Sequence, residues 1–253
     1  MGDILAECLA APADYFLPVR ILRILRDRAR FPGLRITLEP SPASDAPDSG
    51  RRVFASTPDA PDDSTQSSCR LGSHYRLDVL GVSGEDRTLS LLGASLASRL
   101  ASSRPSCLSR ELPPERSPAD LARTLSARFA DSQTAYATLC VLDPRPFLHA
   151  AAEAFPEINP ECLEEDLARC LSAYFEASGG LFLCDTGALI ALCCGSRPVD
   201  TELLQSQAAK YIRRFLSAAV DSPIRIQRSR TFEVLRPEDM ESFLAECFEE
   251  PGS

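Results

Sequence analysis

The chain has 253 residues, 44% of them hydrophobic, and a net charge of −9. That is apolar enough for one large domain or two ordinary ones and excludes wholesale disorder. The acidic balance excludes nucleic acid as a main partner, because phosphate recognition needs concentrated Lys and Arg, and Lys210 is the only lysine among 27 basic residues.

Residues 3–30 read as helical segments interrupted by Pro12 and Pro18. After Pro18, Val19, Ile21, Leu22, Ile24 and Leu25 alternate at helical spacing with Arg20, Arg23, Arg26, Arg28 and Arg30. Such a basic amphipathic helix can lie on a membrane or bind a partner. The favoured expectation is plainer: it packs on its own domain with its arginines in solvent. Residues 35–39 alternate like a strand. Residues 40–68 are a polar Pro/Ser/Asp-rich loop, interrupted by a short strand at Arg52–Ala55. Tyr75–Val82 is a stronger strand, and a helix follows from Arg87 to about Ser102.

Residues 103–118 hold Pro105, Pro113, Pro114 and Pro118 and are the natural domain boundary. A helix then opens at Ser117-Pro118, with Leu121, Ala122, Leu125 and Phe129 on its apolar side. The second half continues as strand 135–142, helix 145–155, a break at Pro156 and Pro160, and helix 160–177. Two apolar strands over 180–194 fold about Asp185-Thr186-Gly187. Helix 200–219, strand 224–234 and a short acidic helix at 237–249 complete the chain. The expected class is therefore α+β in two domains, 1–102 and 119–253, joined by a 103–118 linker.

Ten cysteines at irregular spacing, with no C-x-x-C pair, predict free thiols acting mostly as small core hydrophobes in a reducing cytoplasm. No apolar run reaches the ~20 residues of a bilayer span. The start lacks a secretory signal, and Met1-Gly2 lacks the Ser or Thr that a myristoylation signal carries at position 6. The expected location is cytoplasmic.

Few side chains suggest chemistry. His74 and His149 are the only histidines. Cys140, Asp143 and His149 could converge at a strand end as a nucleophile set, but Cys140 sits mid-strand, where a core position is expected. Cys193-Cys194 could bind a metal or act as a redox switch. Neighbouring strand residues point to opposite faces and do not bridge each other, so a half-buried strand end is expected. Glu161, Glu164, Glu165 and Asp166 open helix 160–177, where the backbone dipole favours negative charge. Arg225, Arg228 and Arg230 recur along the last strand, as edge strands often require.

The order β-α-α-β-β-α-β from 135 to 234 resembles a ferredoxin-like palm, and within it a degenerate GGDEF domain, the diguanylate cyclase family of bacterial signalling. Thr138–Asp143 followed by Phe147 resembles the family's apolar strand ending in D-x-D-x-F-K. Leu181–Leu192 resembles the strand, signature turn and strand, and Leu112-Pro113 with Arg116 echoes the family's opening motif. The family holds Mg²⁺ through clustered carboxylates. Here Asp143 stands at the first metal position and Arg145 at the next acidic one, while Ala188 and Leu189 replace the signature Asp and Glu. Ala151 and Ala152 fall where the guanine-recognition pair stands, and Ala177 and Gly180 where the inhibitory R-x-x-D stands. The resemblance thus implies a pseudoenzyme with no catalytic residues, no metal ligands and no cofactor, and with any ligand-binding residues unassigned. The first half resembles a GAF-like sensor domain in element order, with Asp78–Val82 its most similar stretch. Together they imply a non-catalytic signalling or scaffold protein acting on a protein partner or by self-association. The alternative is a nucleotide or small-molecule sensor with a retained pocket.

Overall fold

The computed structural model describes residues 2–29, 33–39, 52–57, 66–71, 74–80, 87–130, 135–183, 189–216, 220, 224–233 and 242–243. The chain divides into two units. One comprises 1–106, 151–164 and 215–219, and the other 107–150, 165–214 and 220–253. The first changeover, between Ser106 and Cys107, falls inside the proline-rich 103–118 stretch. Residues 151–164 and 215–219, from the second half of the sequence, complete the first unit.

In the first unit, helices α1 (Gly2–Ala10) and α2 (Leu17–Ile24) precede a four-stranded antiparallel sheet. Its strands are β1 (Gly33–Leu38), β2 (Arg52–Ser56), β3 (Gln66–Leu71) and β4 (Tyr75–Leu80), in the order β2-β1-β4-β3. Pro18 sits in the first turn of α2, where its missing N–H and fixed φ are no handicap. The chain then widens into one π-helical stretch, Leu25–Ala29. Helix α3 (Arg87–Ser103) lies against β3. Gly93 permits that approach, since a Cβ there would come within 2.7 Å of the Arg70 carbonyl oxygen.

The core of this unit is aromatic. Tyr15, Phe16, Phe54 and Tyr75 are all fully buried, with edge contacts from Tyr15 to Phe16 and Phe54 and from Phe54 to Tyr75. Phe155 stacks on Phe16 at 4.1 Å, and the guanidinium groups of Arg20 and Arg23 lie over its ring. Residues 157–159 add to the outer edge of β2. Ser56 N–H donates to the Glu157 carbonyl and Asn159 N–H to the Phe54 carbonyl, each at 2.9 Å. The apolar side of α2 packs as expected, with Val19, Ile21 and Leu22 fully buried, whereas its arginines differ from the solvated face expected. Arg20 pairs with Asp14, and Arg23 forks Glu157 at 2.8 and 2.7 Å. Arg26 adds a third contact to Glu157 at 3.3 Å.

The second unit begins with a single helical turn, Ser106–Ser109, followed by helix α4 (Pro118–Ala130) and strand β5 (Tyr136–Asp143). Helices α5 (Arg145–Ala154) and α6 (Pro160–Phe175), strands β6 (Gly179–Leu183) and β7 (Leu189–Gly195), helix α7 (Thr201–Phe215) and strand β8 (Arg225–Phe232) follow in the chain, the end of α5, the start of α6 and Phe215 of α7 being counted in the first unit. The sheet order is β6-β7-β5-β8, with every neighbouring pair antiparallel. Ser117 caps α4, its Oγ accepting the Asp120 N–H at 3.1 Å in the manner of a capping box. Leu121 and Ala122 then join Ala137, Leu139, Ile190, Leu192 and Phe232 in a core on one sheet face. Cys140, Leu142 and Ala191, which point to the other face, are equally buried. Strand β5 is therefore covered on both sides.

The 103–118 stretch is more than a linker. Cys107 and Leu108 are buried, and Arg116 N–H donates to the Leu183 carbonyl at 2.8 Å while Leu183 N–H donates to that of Pro114. A proline-containing segment can lie along a sheet edge because its missing donors face away from the ladder. Among the described residues, no helix is long and apolar enough to cross a membrane. The acidic helix expected at 237–249 lies outside the described residues apart from Ser242 and Phe243. The 40–51 and 58–65 parts of the polar loop also lie outside them.

Candidate functional site

The sheet register assembles one end of the second unit. Strand β5 ends at Asp143, and Leu142 is paired with Leu189, the first residue of β7. The hairpin partner β6 leaves the sheet at Leu183, opposite Leu189. The two strands of the hairpin read from sequence thus pair, and their last paired residues lie beside Leu142. Residues 184–188, which include three of the five signature positions, lie outside the described residues.

Asp143 is held from three directions. Arg145 Nε and Nη2 reach its two carboxylate oxygens at 2.7 and 3.0 Å, and the Arg145 backbone N–H donates to Oδ1 at 3.1 Å. The short span follows from Pro144, after which α5 begins and places residue 145 beside the carboxylate. The third partner comes from β8. A bulge there lets Val141 face Arg228 and Leu142 face Ile226, leaving Gln227 as the extra residue, and its side chain adds to the lowering of the Asp143 carboxyl. The Arg145 hydrogen bond is the largest influence on Asp143 and holds its carboxyl below the usual carboxylate range, against the opposing effect of burial. The carboxylate therefore stays ionised, with its charge met by a guanidinium.

A hard divalent cation needs about six oxygen ligands, several of them charged. At this end Asp143 offers oxygens already committed to Arg145, and the second acidic position is the arginine itself. The described residues at this end do not fit Mg²⁺. Among the described residues, no group of three or more His, Cys, Asp or Glu side chains could hold a metal ion.

The other sequence candidates are dispersed. Cys140 is fully buried between Ala191 and Ser229, and burial pushes its thiol up to about 12, so it supplies no thiolate. His149 lies on the exposed side of α5. His74 belongs to the first unit and is held below its ordinary value by burial and by Arg104. Cys193 and Cys194 alternate faces as the strand period requires: Cys193 is buried and Cys194 half-buried. The acidic start of α6 is more than a dipole effect. Asp166 is buried and accepts from Arg169 at 2.9 Å, and Arg169 also takes Glu165 at 3.1 Å.

Sequence reasoning missed a groove between α7 and β8. It has a cavity volume of about 490 Å³ and is lined by Thr201, Glu202, Gln205, Ser206 and Arg228 among others. Asp200 caps α7 through the N–H groups of Glu202 and Leu203. Gln205 Oε1 accepts the Ile226 N–H at 3.0 Å and ties the helix to the strand. The polar residues Thr201, Glu202, Gln205 and Ser206, which recur at four-residue spacing on one helix side, were the available signal. Beyond it, β5 is the one strand that β8 pairs with among the described residues, and Arg225, Arg228 and Arg230 are exposed along it. The chain matches no protein-family model and no curated protein by sequence.

Proposed function

We propose that the chain is a non-catalytic regulatory or scaffold protein: a GAF-like unit and a degenerate GGDEF-like palm that act through protein contacts. The antiparallel strand order β6-β7-β5-β8 with its βααββαβ connections is what a ferredoxin-like palm would have and supports this reading. The first unit's antiparallel sheet, flanked by helices, supports the sensor-like half. In sequence the two would run over 1–102 and 119–253.

One observation carries the proposal. At the position where a cyclase places its first metal carboxylate, Asp143 is forked by Arg145, which supplies the positive charge that the metal would otherwise bring. Protein contacts then fall to exposed structure. The outer edge of β8 with Arg225, Arg228 and Arg230 suits an extended acidic segment, which can add backbone hydrogen bonds and meet those charges.

Incubation with GTP and Mg²⁺ is expected to yield no cyclic dinucleotide, and GTP, cyclic di-GMP and Mg²⁺ are expected to leave the melting temperature unchanged. Product formation abolished by Asp143→Ala would overturn the proposal. A second reading, a small-molecule sensor, rests on the α7–β8 groove, whose volume lies within the ~300–1,000 Å³ typical of ligand sites. It requires a stabilisation of about 2.7 kcal/mol at a hundredfold excess of ligand over its dissociation constant, lost on Gln205→Ala.

A further inference from the structure

Among the described residues the second unit's sheet ends at the outer side of β8. The groove of about 490 Å³ beside it is walled by Thr201, Gln205 and Ser206 of α7 and by Arg228 and Ser229 of β8, among others. Both walls belong to the second unit. The register shows which backbone groups face outward. The Ile226 N–H goes to Gln205 Oε1 at 3.0 Å and not to β5. Beyond the bulge, the hydroxyls of Thr231 and Thr138 meet across the ladder at 2.9 Å, the close side-chain approach of a pair that exchanges no backbone bonds. Thr231, and by alternation Ser229, therefore turn their N–H and C=O away from β5. Both residues are exposed.

We propose, resting on the protein-contact reading above, that the α7–β8 groove takes an extended acidic segment of a protein partner as a further strand on β8, bonded at Ser229 and Thr231. Gln205 already gives Ile226 the acceptor that a neighbouring strand would give, so the added strand begins past it. Arg228 faces Val141 and Arg230 faces Leu139, which puts both arginines on one face of β8. The segment meets them with acidic side chains at every second position, and neutral residues suffice between. Charge selects this occupant. The chain carries −9 overall, yet the eight residues of β8 hold three arginines and no acidic residue. A second copy of the chain is the poorer fit, because pairing β8 with β8 sets like charges against each other.

The test uses the full chain and a fluorescein-labelled peptide of about eight residues in which Glu alternates with Thr, read by fluorescence anisotropy. Saturable binding is expected, with a dissociation constant below about 1 mM. A peptide with Lys in place of Glu is expected to bind about tenfold more weakly or worse. The double variant Arg228→Glu, Arg230→Glu is expected to weaken the acidic peptide by about tenfold or more. N-methylation of every second peptide amide is expected to abolish binding in one register and spare it in the other, because alternate residues bond to the edge. The Ser229 and Thr231 amides are expected to gain protection from hydrogen exchange when the peptide binds.

Absence of saturable binding, equal binding of the two methylated registers, or parental affinity in the double variant would overturn the proposal. So would protection of Ser229 and Thr231 that rises with chain concentration in the absence of peptide, which gives the edge to a second copy. If the double variant fails to fold, the methylated peptides on the unaltered chain decide. The GTP and Mg²⁺ incubation keeps the two proposals apart. No peptide binding and no cyclic dinucleotide removes the edge assignment alone, whereas cyclic dinucleotide formation removes the non-catalytic reading whatever the peptide does.

Discussion

Glu157 and Asp143 are both carboxylates forked by arginine, but they do different physical work. The Glu157 side chain is 2% exposed, and its partners Arg23 and Arg26 come from more than 130 positions away in sequence. Burial is the largest influence on it and acts to raise its carboxyl. The hydrogen bonds from Arg23 and from its own backbone, with the charges of Arg23 and Arg26, outweigh that and leave it lowered. Asp143 is partly exposed, and its partner Arg145 is two residues away and mostly in solvent. The first pair joins distant pieces of chain within the first unit. The second closes a local turn and neutralises one end of a sheet. Similar geometry therefore marks a long-range folding constraint in one place and a local charge pairing in the other.

The sharpest way to break this contrast is Glu157→Ala. It leaves two guanidinium groups over a buried gap and is expected to lower stability by about 3–5 kcal/mol, read as a shift in the urea midpoint. A cost no larger than that of Asp143→Ala would erase the distinction. Acid titration comes next. A carboxyl lowered in the folded state contributes stability that is complete above its unfolded value of about 4.3 and is lost as pH falls through the folded value. Stability is therefore expected to decline below roughly pH 4, and Glu157→Gln should flatten that decline more than Asp143→Asn does. Asp143→Ala itself is expected to cost at most about 1 kcal/mol, as solvent-screened pairs do. The smallest effect is on Asp143 alone: Arg145→Ala should raise its carboxyl toward the ordinary value of about 3.9, followed by carboxyl NMR shifts, with melting nearly unchanged.

Elements with a strong local signature were legible in the sequence. Pro156 and Pro160 set the break between α5 and α6, and the apolar runs of β5, β6 and β7 announced strands. Strand β3 was not read, because Gln66-Ser67-Ser68-Cys69 lacks β-branched and aromatic residues. It is specified by its ladder with β4, where Cys69 faces Leu77 and Leu71 faces Tyr75. The proline content of 103–118 pointed to a linker, yet Pro114 and Arg116 bond to β6, because composition does not reveal which carbonyls find a partner. The assignment of 151–164 to the first unit was equally hidden, since it depends on Phe155 meeting Phe16 and Glu157 meeting Arg23. At the candidate site, Asp143 and Arg145 could be picked out only through the resemblance to a D-x-D-x-F-K strand end. That the arginine would close on the aspartate, and that a bulge would bring Gln227 to it, required the register of β8.

The return of residues 151–164 to the first unit has a consequence for how the polypeptide emerges during synthesis. Its opening 106 residues carry Phe16, Arg23 and the outer edge of β2, but the groups that satisfy them leave the ribosome only after the strand of the next sheet, β5, has been made. Chains grow at about 5–20 residues per second, so the nascent amino-terminal part waits several seconds with an aromatic shelf and an open strand edge uncovered. A fragment cut at 106 is expected to stay in that condition, captured by chaperones or aggregated.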